Sequence, residues 1–89
     1  MATAVDDLVF SESIIISPNP NNGLFTIQSS SPLLNMASIE IENVLGEKIY
    51  SRIQQLANTT IDISSQPSGV YFMQIKSDHG ITIRKIVKE

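Results

Sequence analysis

The chain has 89 residues, of which 42% are hydrophobic and 17% charged, with no cysteine and a formal net charge of −3. It is too apolar to stay disordered, has no apolar run long enough for a membrane-crossing helix, and excludes disulfides and thiolate chemistry. Residues 1–47 carry six acids and no base, whereas residues 48–89 carry six bases and three acids; a net acidic chain whose one basic cluster is Arg84, Lys85 and Lys88 makes a poor nucleic-acid binder, and no nucleic-acid partner is expected.

From the amino end, residues 1–13 lack the basic n-region and apolar h-region of a secretory signal and read as a linker or cargo remnant, with a native Met1 and a start codon added by truncation both left open. One domain is expected over residues 14–89. Apolar, β-branched residues then recur at spacing two, the period of a strand with one buried face: Phe25 and Ile27, Ile39 and Ile41, Ile61 and Ile63, Ile81 and Ile83. Turn signals fall near 18–23, 30–35, 44–47, 55–58, 64–69 and 77–80. Six turns join seven strands, and their spacing predicts an all-β, seven-stranded antiparallel immunoglobulin-like β-sandwich. In Val70-Tyr71-Phe72 both parities are apolar, which suits a central strand and assigns Phe25 and Phe72 to the core. Gly23, Gly46 and Gly69 sit where turns require φ > 0.

Catalytic groups are scarce. His79 is the single histidine and lies beside Asp78 in an expected hairpin tip, a surface turn rather than a general base. Glu40 and Glu42 stand about 6.5–7 Å apart along a strand, a nominal glycosidase separation, but alternation with Ile39 and Ile41 turns both to solvent, where neither becomes a proton-donating acid. The asparagine-rich 18–23 turn offers carbonyl oxygens but no carboxylate for calcium. No catalytic residue, metal ligand or cofactor is assigned.

Three turn motifs carry the functional signal: Pro18-Asn19-Pro20-Asn21-Asn22-Gly23, Asn43-Val44-Leu45-Gly46-Glu47-Lys48 and Gln66-Pro67-Ser68-Gly69-Val70-Tyr71. With Phe25-Thr26-Ile27, Ile61-Asp62-Ile63-Ser64 and the basic Arg84-Lys85-Ile86-Val87-Lys88 tail, they resemble the type A C-terminal sorting domain of type IX secretion cargo. Ser17 stands where that family commonly has an aromatic, Ile63 replaces a usual leucine, and Glu89 follows the lysine that often ends it. The resemblance implies a non-enzymatic secretion signal on an upstream cargo in the same chain. Such a domain passes through the periplasm, is recognised by an outer-membrane translocon and its shuttle protein, and does not itself insert into the membrane. A sortase-like surface peptidase then cuts it from a cargo destined for the cell surface or medium, with attachment to anionic lipopolysaccharide. Cleavage is expected in the stretch before Ile14.

Recognition is assigned to Lys85, Ile86, Val87 and Lys88, with Pro67, Gly69 and Tyr71 shaping the preceding segment; Pro18, Asn19, Pro20, Gly23 and Gly46 are read as structural turn residues, the first turn doubling as a docking knob. Two readings of the basic strand stay open, since lysines also protect an edge from aggregation. Either way both lysines are expected to add little to folding. The rival functions are a carbohydrate-binding module, for which mainly Tyr50 and Tyr71 would remain to stack on a sugar, and a spacer between domains. A spacer should continue beyond its last apolar position, here Val87, and the expectation is that this chain does not.

Overall fold

Alternation in the sequence becomes alternation of burial in the computed structural model, which describes residues 14–29, 36–55, 58–77 and 80–89. The linker, the 30–35 turn, Phe10, and Asp78 and His79 of the last hairpin lie outside the described residues. Seven strands form: β1 (Ile14–Ser17), β2 (Leu24–Ser29), β3 (Met36–Asn43), β4 (Lys48–Gln55), β5 (Thr59–Asp62), β6 (Gly69–Ser77) and β7 (Gly80–Lys88). All strand pairs are antiparallel, in a three-stranded sheet of order β1-β2-β5 and a four-stranded sheet of order β4-β3-β6-β7.

Inward-facing residues of both sheets make one core of Ile14, Phe25, Ile27, Ala37, Ile39, Ile41, Ile61, Ile63, Tyr71, Met73, Ile75 and Ile86. Each large aliphatic side chain buried there contributes about 1.5–3 kcal/mol. A register shift after Ile41 pairs Glu42 with Lys48 and leaves Ile49 as an extra residue, so Ile49 and Tyr50 both pack against the core. Glu40 and Glu42 alternate with buried Ile39 and Ile41, and Glu40 accepts a 2.8 Å salt bridge from Lys48.

Two core expectations are corrected. Ile81 and Ile83 are not the buried face of β7: they are 49% and 63% exposed, while Thr82 and Ile86 point inward. The register decides this, because Thr82 pairs with buried Ile75 and Ile86 with buried Tyr71, which sends the intervening odd-numbered residues outward. Likewise Tyr71, not Phe72, enters the core, leaving Phe72 43% exposed on the outer face of a strand that is central, as its double apolar parity suggested.

Candidate functional site

An asparagine side chain carries an amide that can stand in for a peptide group, and the 18–23 segment uses this at the edge of β7. Asn19 donates from Nδ2 to the Lys85 carbonyl (2.9 Å) and accepts from the Val87 N–H at Oδ1 (2.9 Å). Two residues on, Asn21 does the same with its backbone, donating to the Val87 carbonyl (2.9 Å) and accepting from the Glu89 N–H (2.7 Å). Asn21 thereby pairs in parallel with Lys88, and its own side chain bonds the Pro18 carbonyl and the Gly23 N–H. The segment, in which both proline peptides are cis, carries the chain from β1 to the edge of the opposite sheet and back to β2. Its four hydrogen bonds clasp the carboxyl half of the terminal strand.

Gly23 is the pivot of that clasp. It is buried with φ +107°, and a Cβ there would lie 2.6 Å from the Ser64 Cα, 2.9 Å from the Ser64 nitrogen and 2.7 Å from the Lys88 Cε. Its carbonyl accepts from the Ile63 N–H at 2.7 Å. Lys88 threads past it to donate from Nζ to the Gln66 carbonyl at 2.6 Å. The 63–68 link is ordered at its start by Asp62, whose Oδ1 accepts from the Ser64 N–H at 2.8 Å; bonding to the Ser64 side chain and backbone holds this exposed carboxyl below its usual range.

The β3–β4 turn faces the same link. Asn43 Oδ1 accepts from the Leu45 and Glu47 N–H groups, and Gly46 follows at φ +83°, the left-handed position of a three-residue hairpin loop. Val44 and Leu45 are left 69% and 81% exposed at its tip. Together with Pro67, Ser68, Val70 and Tyr71 they line a recess of about 200 Å³. Tyr71, with its ring in the core, donates from its hydroxyl to the Pro67 carbonyl. Glu40, with Glu42 beyond it, raises the pKa of Lys48 on the adjoining sheet face.

The three turn motifs and the terminal strand, far apart in the chain, therefore meet at one end of the sandwich. A comparison with protein families matches residues 15–89 to the secretion system C-terminal sorting domain. The chain belongs to that family. As a type IX sorting domain it is a C-terminal signal attached to cargo, recognised by the secretion machinery, on a secreted or cell-surface protein. No curated protein matches it. Among solved structures it is similar to a DUF3244-family protein with an immunoglobulin-like β-sandwich fold from Bacteroides vulgatus, at TM-score 0.74 and 24% identity, covering 86% of this chain and 84% of the other. That likeness concerns the fold.

Within this sorting domain the residues singled out in the sequence differ in their surroundings. Lys85 is exposed on the outer sheet face beside Phe72, Val87 is half-buried, and the Ile86 side chain is in the core. Lys88 is half-buried and bonded, so the exposure on which the expectation for both lysines rested is found at Lys85 and not at Lys88. Pro67 and Gly69 flank the recess, and Pro18, Asn19 and Pro20 are exposed on the clasp. Sequence reading missed Asn21, Ser64 and Gln66, which join the motifs. Asn21 was visible as a turn residue, but no local pattern reports that it pairs with a strand 67 positions later.

Proposed function

We propose that the type IX machinery reads this domain at the end of the sandwich where the clasp, the 63–69 link and the terminal strand converge. The observation that carries the reading is the convergence itself: Asn19 and Asn21 on β7, Gly23 against Ser64 and Lys88, and Lys88 on Gln66. A receptor contacting that end touches the three turn motifs and the terminal strand at once. Lys85 and Val87 supply its exposed and half-exposed side chains, while Ile86, Lys88, Pro67, Gly69 and Tyr71 hold their positions.

On this reading the domain does no chemistry. It travels on its cargo through the periplasm, meets the shuttle protein and the outer-membrane translocon, and is cut by a sortase-like surface peptidase before Ile14, after which the cargo is attached or released. Among the described residues, no group of three or more His, Cys, Asp or Glu is arranged to hold a metal. The carbohydrate-binding alternative gains no support, because Tyr71 is buried and Arg52 lies over the Tyr50 ring at 5.8 Å.

The test is a fusion of residues 13–89 to the carboxyl end of a periplasmic reporter in a host with a type IX apparatus. Reporter at the surface or in the medium is the expected result. A folded, intact fusion that stays in the periplasm overturns the proposal.

A further inference from the structure

β7 is an edge strand, and its free edge is divided. Lys85 and Val87 direct their backbone groups away from β6, as their bonds to Asn19 and Asn21 show. In an antiparallel ladder alternate residues point both groups to the same side, so Ile81 and Ile83 present theirs at the same edge. The clasp covers the carboxyl half, from the Lys85 carbonyl to the Glu89 N–H. Among the described residues, no strand pairs with the amino half. Edges of this kind are normally blunted, and this one instead carries two exposed isoleucines.

The clasp shows what the edge accepts, since a single residue in strand register already satisfies two of its backbone groups. An added strand continuing that interface would place its outward side chains beside Ile81, Ile83 and Lys85 in turn. Lys76, which pairs with Ile81, and Lys85, which pairs with Phe72, give this stretch of the outer face a positive charge. Of the two acids on this face, both two strands from β7, Glu40 is bonded to Lys48 and Glu42 lies across Phe72 from Lys85, so the lysines are the charges nearer the edge. From Gly80 to Lys88 β7 carries no acid, so a second copy of the strand brings no partner to Lys85, whereas an acidic segment does.

We propose that the amino half of the β7 edge, Ile81 to Lys85, is a strand-addition site for an extended segment of a partner protein. That segment has two apolar residues at alternate positions, set against Ile81 and Ile83, followed by an acidic residue against Lys85. Main-chain hydrogen bonds supply the affinity, and the apolar and acidic side chains the selection. This deepens the sorting reading and rests on it for the partner's role in secretion, but the docking itself is testable apart from export.

The experiment uses the 89-residue chain and two synthetic peptides alternating valine and threonine, with glutamates at the carboxyl end for a parallel register or at the amino end for an antiparallel one. Hydrogen exchange of the Ile81 and Ile83 amides should slow about tenfold or more on adding one of them. Ile83→Pro removes an outward N–H that the fold does not use; it should abolish that protection, whereas Ile83→Thr, which keeps the N–H, should retain most of it. Lys85→Glu, on an exposed side chain, should weaken the same peptide even if the proline variant does not fold. Absence of protection with both peptides, or protection indifferent to Lys85→Glu and to a folded Ile83→Pro, overturns the site. Concentration-dependent dimers that protect the same amides without peptide assign the edge to a second copy and also overturn it. In the export assay, a folded Ile83→Pro fusion secreted like wild type removes the link to sorting; failure of the wild-type fusion condemns the sorting proposal alone.

Discussion

Gly23→Ala should be far more damaging than Gly46→Ala, although both glycines occupy left-handed turn positions. At Gly46, φ is +83° and nothing lies within 4 Å of an added Cβ. That substitution meets backbone strain alone, about 1–2 kcal/mol. At Gly23 the strain is joined by contacts of 2.6 Å and 2.9 Å with the Ser64 backbone, which cannot rotate away as a side-chain tip can. Relieving them means moving the 18–23 segment off the 63–68 link, which loosens the Ile63 N–H bond to the Gly23 carbonyl and the packing of the Lys88 stem. Adding about 1 kcal/mol for the hydrogen bond and about 1 kcal/mol for lost contacts brings the cost to about 3–4 kcal/mol. For a domain of this size each kcal/mol lowers the melting temperature by about 4–8 °C, so thermal unfolding should separate the two variants by at least about 8 °C. Equal melting temperatures for Gly23→Ala and Gly46→Ala would refute the close-approach argument and leave only the φ requirement.

Tyr71→Phe keeps the ring in the core but leaves the Pro67 carbonyl without its donor; chemical denaturation should report a loss of about 1–2 kcal/mol with an unchanged m-value. Asp62 has a folded pKa below its unfolded one, so its contribution is present above the ordinary carboxylate pKa and is lost as pH falls through the depressed value; Asp62→Asn should flatten the acid limb of a stability–pH curve, and so should Asp62→Glu, whose longer side chain does not close the two-residue turn onto the Ser64 N–H. Lys88→Ala removes a charged donor from the Gln66 carbonyl and the stem beside Gly23, and should cost about 1–2 kcal/mol in urea unfolding, whereas Lys85→Ala should cost less than about 0.5 kcal/mol.

Local chemistry explains which parts of this architecture were legible in the sequence. Pairs such as Ile39 and Ile41 lie on strands with one face buried, so period two reported their burial correctly. At β7 the same rule failed, because both parities hold apolar residues and only the register with β6 chooses Thr82 and Ile86 over Ile81 and Ile83. Tyr71 and Phe72 are adjacent aromatics of similar size, and the tyrosine is preferred inside because its hydroxyl finds the Pro67 carbonyl. The motifs themselves were readable from proline, asparagine and glycine. Their meeting was not, since each contact among Asn19, Gly23, Gln66 and Lys88 spans a chain separation that no local signal encodes.

The same contacts mean that truncation cannot measure recognition at the terminal strand. Deleting residues 85–89 removes Ile86 from the core, worth about 2–5 kcal/mol, together with the Lys88 bond and the β7 half of every clasp hydrogen bond. The combined loss, about 5–9 kcal/mol, is comparable with the whole stability of a small domain at about 5–15 kcal/mol. The truncated domain should therefore be unfolded or protease-sensitive, and its failure to be exported would follow whether or not the machinery reads those residues. Lys85 escapes this coupling. Its side chain is exposed, while its carbonyl, which Lys85→Ala retains, keeps the bond from Asn19. If the basic strand is read directly, Lys85→Ala should reduce export severalfold with a melting temperature within about 3 °C of wild type. If lysine serves edge protection alone, the same variant should be exported normally but aggregate more at high concentration, a difference that export and light scattering measured on one preparation would resolve.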